Sequence, residues 1–199
     1  MLEEIKTWFN ALIHPTELIT KESGKSTWED AFKRVILAGF LAGLVSGFFI
    51  MLFQLAAGKV VTAIIGWIIA MIVGPITAVI GWIIGAILLF ITAKLLGGKA
   101  DFARHTTDLT WYYAPITFVT GIISWIPLIG QALGALIWLY GLYPLTMIIK
   151  VSHGLSTEKA VVVWLIWVII GIIIAIIAAV ALFAFIASIK GMIPTIPGY

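Results

Sequence analysis

The sequence predicts an all-α protein, a polytopic transmembrane helical bundle with five spans, and three observations lead there. Of its 199 residues, 62% are hydrophobic and only 11% charged, whereas a soluble domain carries about 45–50% apolar and about 25% charged residues. Four long stretches hold no Asp, Glu, Lys, Arg or His: Val35 to Gly58, Val60 to Ala93, Leu109 to Ile149 and Ala160 to Ile189, of 24, 34, 41 and 30 residues. The bases between those stretches, finally, fall unevenly. A water-soluble monomer is excluded, because so few polar side chains cannot cover a domain of this size.

The elements follow in order. From Met1 to Ile13 the apolar residues Leu2, Ile5, Trp8, Phe9, Leu12 and Ile13 recur at steps of three and four, opposite Glu3, Glu4, Lys6 and Asn10. That spacing predicts an amphipathic helix. Three roles are open to it: lying in the membrane interface with Trp8 at headgroup depth, docking on the bundle, or recruiting a partner. Pro15 is expected to end it, and a polar stretch from Thr20 to Thr27 follows. Ser26-Thr27-Trp28-Glu29 has the pattern of a capping box, which starts a helix running through Arg34 into the first span. Trp28, Lys33 and Arg34 then read as interfacial anchors. Residues 1–34 make up this cytoplasmic tail.

A hydrocarbon core of about 30 Å takes roughly 20 helical residues to cross. The first apolar stretch is therefore one span, about 35–57. The second is divided by Gly74-Pro75, and only the piece from Pro75 onward, about 75–96, is long enough to cross. Residues 60–73 are expected to form a short, non-spanning helix buried on the outer side. The third stretch holds two spans, about 109–126 and 131–150, with Pro127-Leu128-Ile129-Gly130 as the turn between them. The last stretch is one long, tilted span, 160–189, followed by a short external tail, 191–199.

Charge orients the bundle. With five spans, ten of the twelve bases fall on one face, leaving Lys59 and Lys190 on the other; with six spans they divide evenly. By the positive-inside rule the N-terminus is cytoplasmic and the C-terminus outside. The start Met1-Leu2-Glu3-Glu4 does not look like a signal peptide. Small residues set how closely helices approach: Gly39, Gly43 and Gly47 line one face of the first span, and Gly81 and Gly85 one face of the second. Contact within one chain is the favoured reading, with a homo-oligomer as the other.

Function classes fall away in turn. No ionisable residue lies in the predicted spans, which argues against a proton-coupled carrier or a voltage sensor. Gln54, Thr110, Tyr112, Tyr113, Thr117 and Gln131 are left to bond between helices or to line a neutral path. Cysteine is absent, so disulfides and thiol chemistry are excluded. His14, His105 and His153 lack the spacing of a helical metal site. No GxSxG elbow is present, and Gly97-Gly98-Lys99 is followed by Ala100 rather than the Ser or Thr of a phosphate loop. No enzyme, metal or cofactor is expected. The net charge of +3 is too small and scattered for nucleic acid.

The loop from Lys94 to Asp108 is the most charged segment after the tail. It offers either a solvated connector or a docking site for an acidic lipid headgroup or a protein. Several local patterns accompany it: Gly97-Gly98 followed by Phe102, Tyr113-Ala114-Pro115, Ile126-Pro127 with Gly130, Trp138, and His153-Gly154-Leu155-Ser156 before Lys159-Ala160. In this order, with a cytoplasmic tail and five spans, they resemble the prokaryotic and archaeal type of the Yip-one domain family, membrane proteins named for interacting with Ypt/Rab small GTPases. The resemblance implies a non-enzymatic role at membranes, which in eukaryotic relatives means Rab binding and vesicle traffic. The acidic, tyrosine-containing motif of those relatives survives here only as Gly74-Pro75, preceded by Ile72 and Val73, which puts GTPase binding in doubt. In a prokaryote the location would be the cell membrane.

The expected function is that of a membrane organiser or adaptor binding a protein partner or lipid at the cytoplasmic face. Its candidate contacts are Trp8 and Phe9 in the tail, Lys94, Gly97, Gly98, Lys99, Phe102 and Arg104 in the loop, Tyr113 and Pro115 in the third span, and His153. The alternatives are a neutral-solute or lipid conduit beside Tyr112-Tyr113-Ala114-Pro115, and a structural subunit of a membrane complex.

Overall fold

A computed structural model describes residues 2–192. Its seven helices are α1 (Leu2–Ile13), α2 (Pro15–Glu22), α3 (Trp28–Ala56), α4 (Val60–Leu95), α5 (Phe102–Ile123), α6 (Ile129–His153) and α7 (Thr157–Met192), and no strand occurs among the described residues. The predicted external tail lies outside them from residue 193 on. Helices α3, α4, α6 and α7 are long and apolar enough to cross a membrane. Helix α5, which opens two turns before the apolar stretch and is rich in Thr and Tyr, is not among them. It is the inner helix, packed against α3, α4 and α6, with Leu109, Trp111, Ala114 and Ile116 buried.

The second apolar stretch departs from expectation. Residues 60–73 are not a separate buried helix; Val60–Leu95 is one helix of 36 residues with Pro75 inside it. A proline lacks one N–H and normally clashes with the preceding turn. Here the helix continues through the proline, and α3 packs directly against the site. A Cβ on Gly39 would come within 2.7 Å of the Gly74 carbonyl oxygen and 2.8 Å of Pro75 Cα. The two backbones touch there, so the glycines of α3 pack within the chain. Val61, Ile64, Ile65, Ile68, Ile69 and Ile72 face outward, an apolar surface suited to lipid. At 1.5 Å per residue the helix is about 54 Å long, well beyond the hydrocarbon thickness, so it must tilt or project.

Other boundaries shift for local reasons. Pro15 does not end the tail's helical structure but opens α2 from its first position, where the missing N–H has no partner to lose. The cap of α3 lies one residue later than expected: Asp30 N donates to Thr27 Oγ1 and Thr27 N to Asp30 Oδ2, each at 3.1 Å. Two overlapping Ser/Thr-x-x-acid patterns share this segment, and the second one forms. Arg34 is not an interfacial anchor. Its side chain is only 5% exposed, whereas Lys33 is exposed and paired with Glu29. The Lys94 to Asp108 loop shortens to residues 96–101, since Asp101 caps α5 by accepting from Arg104 N at 2.7 Å.

Candidate functional site

The tail, the start of α5 and the end of α6 converge on Asp108, one turn into the buried part of α5. Its side chain is fully buried. Oδ2 accepts from Ser23 Oγ at 2.6 Å and from Ser152 Oγ at 2.5 Å, and Oδ1 accepts from Gly24 N at 2.8 Å. Arg104 Nε lies 3.7 Å away and balances its charge. One carboxylate thus ties the tail, α5 and α6 together. A buried charge is tolerable only when satisfied in this way.

One turn earlier, His105 and His153 are buried together, with His153 Nε2 2.8 Å from His105 Nδ1. The protons follow from the partners. His105 Nε2 sits 3.1 Å from the Ala86 carbonyl, which only accepts, so Nε2 carries the hydrogen and Nδ1 accepts from His153 Nε2–H. The remaining nitrogen, His153 Nδ1, has no partner. Both imidazoles lie beyond the ends of the charge-free stretches. Burial holds both below the usual histidine range, reinforced at His105 by His153 and at His153 by Lys94 and Arg104. The pair is therefore neutral near pH 7. Gly98 makes room for it: a Cβ there would press on the Ala93 carbonyl at 2.7 Å and on His153 Cγ at 2.9 Å. Among the described residues no group of three or more His, Asp or Glu could hold a metal.

The tail is latched at further points. Trp8 is buried among Ala38, Ala114 and Phe118, with ring centroids 5.5 Å from Phe118. Of its three open roles, α1 takes docking on the bundle. Glu4 Oε1 accepts from Arg34 Nε at 3.1 Å, and Arg34 Nη1 also donates to Thr110 Oγ1 while its guanidinium lies 3.6 Å over the Trp111 ring. Tyr140 donates to the Leu12 carbonyl, and Tyr143 and Thr16 share a hydrogen bond of 3.2 Å.

Of the residues singled out from sequence, Gly98, Arg104 and His153 meet in this cluster. Lys94 Nζ reaches the Ala100 carbonyl at 3.3 Å. Phe102 packs on Phe90, which also flanks both histidines. Gly97 supplies the positive φ of the turn, +93°. Pro115 is buried beside the tail, whereas Phe9 and Lys99 point outward. Tyr113 faces α4 at Gly81, away from the cluster. Asp108, His105, Arg34, Ser23, Gly24 and Ser152 were not singled out as contacts. Arg104, His105 and Asp108 do stand at helical spacing, but only once α5 is known to begin at Phe102.

A crevice of about 440 Å³ between α3, α4 and α5 takes in Tyr113 and Thr117 of the neutral path considered above, but not Gln54, Thr110, Tyr112 or Gln131. Of its six hydroxyls, those of Ser46, Thr77, Thr120 and Ser124 each donate to a carbonyl of their own helix, leaving Tyr113 and Thr117.

Four helices of crossing length packed with a buried inner one define a multi-pass integral membrane protein. A family model, the Yip1 domain, matches residues 9–179, and the chain belongs to the Yip1 domain family. Comparison with curated proteins and with solved structures gives no match.

Proposed function

We propose that this protein is a non-enzymatic membrane organiser or adaptor, with α3 to α7 as five spans and its N-terminus in the cytoplasm. Its docking surface for a protein partner is the latched tail together with the turn before α5. The observation that carries this reading is Arg104. Its Nη2 donates to Ser23 Oγ at 3.1 Å while its backbone begins α5, so tail and turn form one surface rather than two. Phe9, Lys21, Lys25 and Lys99 stand exposed on these segments. The neutral conduit is the weaker alternative, because four of the six crevice hydroxyls already donate to carbonyls.

The test is site-specific photo-crosslinking in living cells, with the crosslinker at Phe9, at Lys99 and, as control, at exposed Leu128 on the other end. A shared adduct mass at Phe9 and Lys99 that is missing at Leu128 supports the reading. Identical adducts at all three positions, or none at either of the first two, would overturn it.

A further inference from the structure

Away from this surface, α4, α6 and α7 enclose an open groove of about 480 Å³, lined among others by Gly85, Leu88, Leu142, Leu145, Trp164 and Gly171. Its size lies within the range of ligand sites, about 300–1,000 Å³. Its walls offer hydrocarbon and little else. The indole of Trp164 donates to Thr146 Oγ1 at 2.8 Å, and that of Trp167 to Thr92 Oγ1 at 2.8 Å and the Leu88 carbonyl at 3.1 Å. With these two N–H groups engaged, the Trp138 indole and the Tyr112 hydroxyl are the polar groups left on a wall that is otherwise hydrocarbon, which suits an apolar occupant.

The two glycines are the second observation. Glycine in a membrane helix ordinarily lets a neighbouring backbone come close, as Gly39 does for α4. A Cβ at Gly85 or Gly171 would meet nothing within 4 Å. No helix packs against them, and what their small size leaves is the width of the groove.

Charge then selects the occupant. At the polar end of the groove Lys159 Nζ reaches across from α7 to the Leu96 carbonyl that ends α4, at 3.0 Å, and Lys150 Nζ reaches from α6 to Thr157 Oγ1 at the start of α7, also at 3.0 Å. Neither forms an ion pair among the described residues, and the acid beside them in sequence, Glu158, is exposed. Lys150 stands five residues beyond Leu145, and Lys159 five before Trp164, so each is displaced about 7.5 Å along its helix toward the polar end. That is the order of the glycerol bridge between a phospholipid's phosphate and its acyl chains. Basic pockets between membrane helices on the cytoplasmic side recognise anionic headgroups.

We propose that this groove binds one anionic phospholipid, with an acyl chain between α4, α6 and α7 and the phosphate at Lys150 and Lys159. The site lies apart from the exposed tail and Lys99, meeting the docking surface only where Lys159 bonds the Leu96 carbonyl. A second copy of the chain would fill an apolar groove equally well but would leave the two lysines without a counter-charge.

The experiment is native mass spectrometry of the full chain released from micelles holding equal phosphatidylglycerol and phosphatidylcholine of the same acyl composition. Wild type should retain one phosphatidylglycerol in preference to phosphatidylcholine. K150Q/K159Q should lower that preference roughly thirtyfold, since each of the two bases near the surface contributes about 1 kcal/mol. Gly171→Phe should plug the groove and abolish retention of both lipids, whereas Gly171→Ala should bind as wild type does. Equal retention of the two lipids by wild type, unchanged preference in K150Q/K159Q, or a protein dimer in place of the lipid would each overturn the proposal. Because the lysine pair lies outside the helix packing, its result stands even if the phenylalanine variant folds poorly.

Discussion

Asp108 concentrates more consequences in one side chain than any other residue of the described chain. Three hydrogen bonds and one guanidinium meet on it, and hydrogen bonds to a charged group contribute about 1.5–3 kcal/mol each when lost singly. Asp108→Ala is therefore expected to destabilise the fold by about 3 kcal/mol or more and to release the tail. Limited proteolysis between α2 and α3 reads this directly; wild-type protection of that segment in the variant would refute the latch. The histidine pair behaves differently because it must stay neutral. With both folded-state pKa values depressed below 6.5, the unfolded chain binds protons first on acidification. The pair's contribution is thus fully present above pH 6.5 and is lost as pH falls below it toward the folded values. Melting temperature should drop between pH 7 and pH 5, and the drop should shrink in a His105→Asn, His153→Asn double variant. An equal drop in both proteins would assign the acid sensitivity elsewhere.

Among elements, the α3–α4 pair shows why pattern reading divided one helix into two. Gly74-Pro75 is a reliable break in isolation, but the glycine row of α3 lies against it and supplies packing that outweighs one missing hydrogen bond. A Cβ on Gly43 would clash with the backbone of Ala70, whereas one on Gly66, on the outward face of α4, would meet nothing within 4 Å. Gly43→Val is accordingly expected to cost about 3 kcal/mol, and Gly66→Ala to be neutral or to stabilise by up to about 1 kcal/mol. Thermal unfolding in detergent separates the two; similar melting temperatures would mean the close approach is not there. Helix α5 is the opposite case. Its polar first two turns read as loop because hydropathy sees only polar residues where the fold buries His105 and Asp108, each matched by a partner brought from the tail, α4 or α6.

For the molecule as a whole, orientation rests on charge. The polar end carries the tail, the turn before α5 and the start of α7, and with them ten of the twelve bases. The absence of cysteine makes labelling direct. Gly98 and Gly130 are unsuitable positions, since a Cβ at either would press on backbone; Lys99 and Leu128 are exposed. Single cysteines at Lys99 and Ser156 should react from the cytoplasmic side, and those at Leu128 and Tyr199 from the other. Reaction of Ser156 and Tyr199 from one side would exclude five spans.

Composition and the placement of charge by themselves determined the membrane as solvent and the helical class. Those properties depend on side-chain hydropathy summed along the chain, which neighbours in space do not alter. Only the tertiary structure decided that α4 runs unbroken through Pro75, that the tail is docked rather than free, and that Asp108 and two histidines from opposite ends of the α5–α6 hairpin share one buried site. Each of these depends on a partner more than ten residues away, and neither periodicity nor spacing registers such a partner.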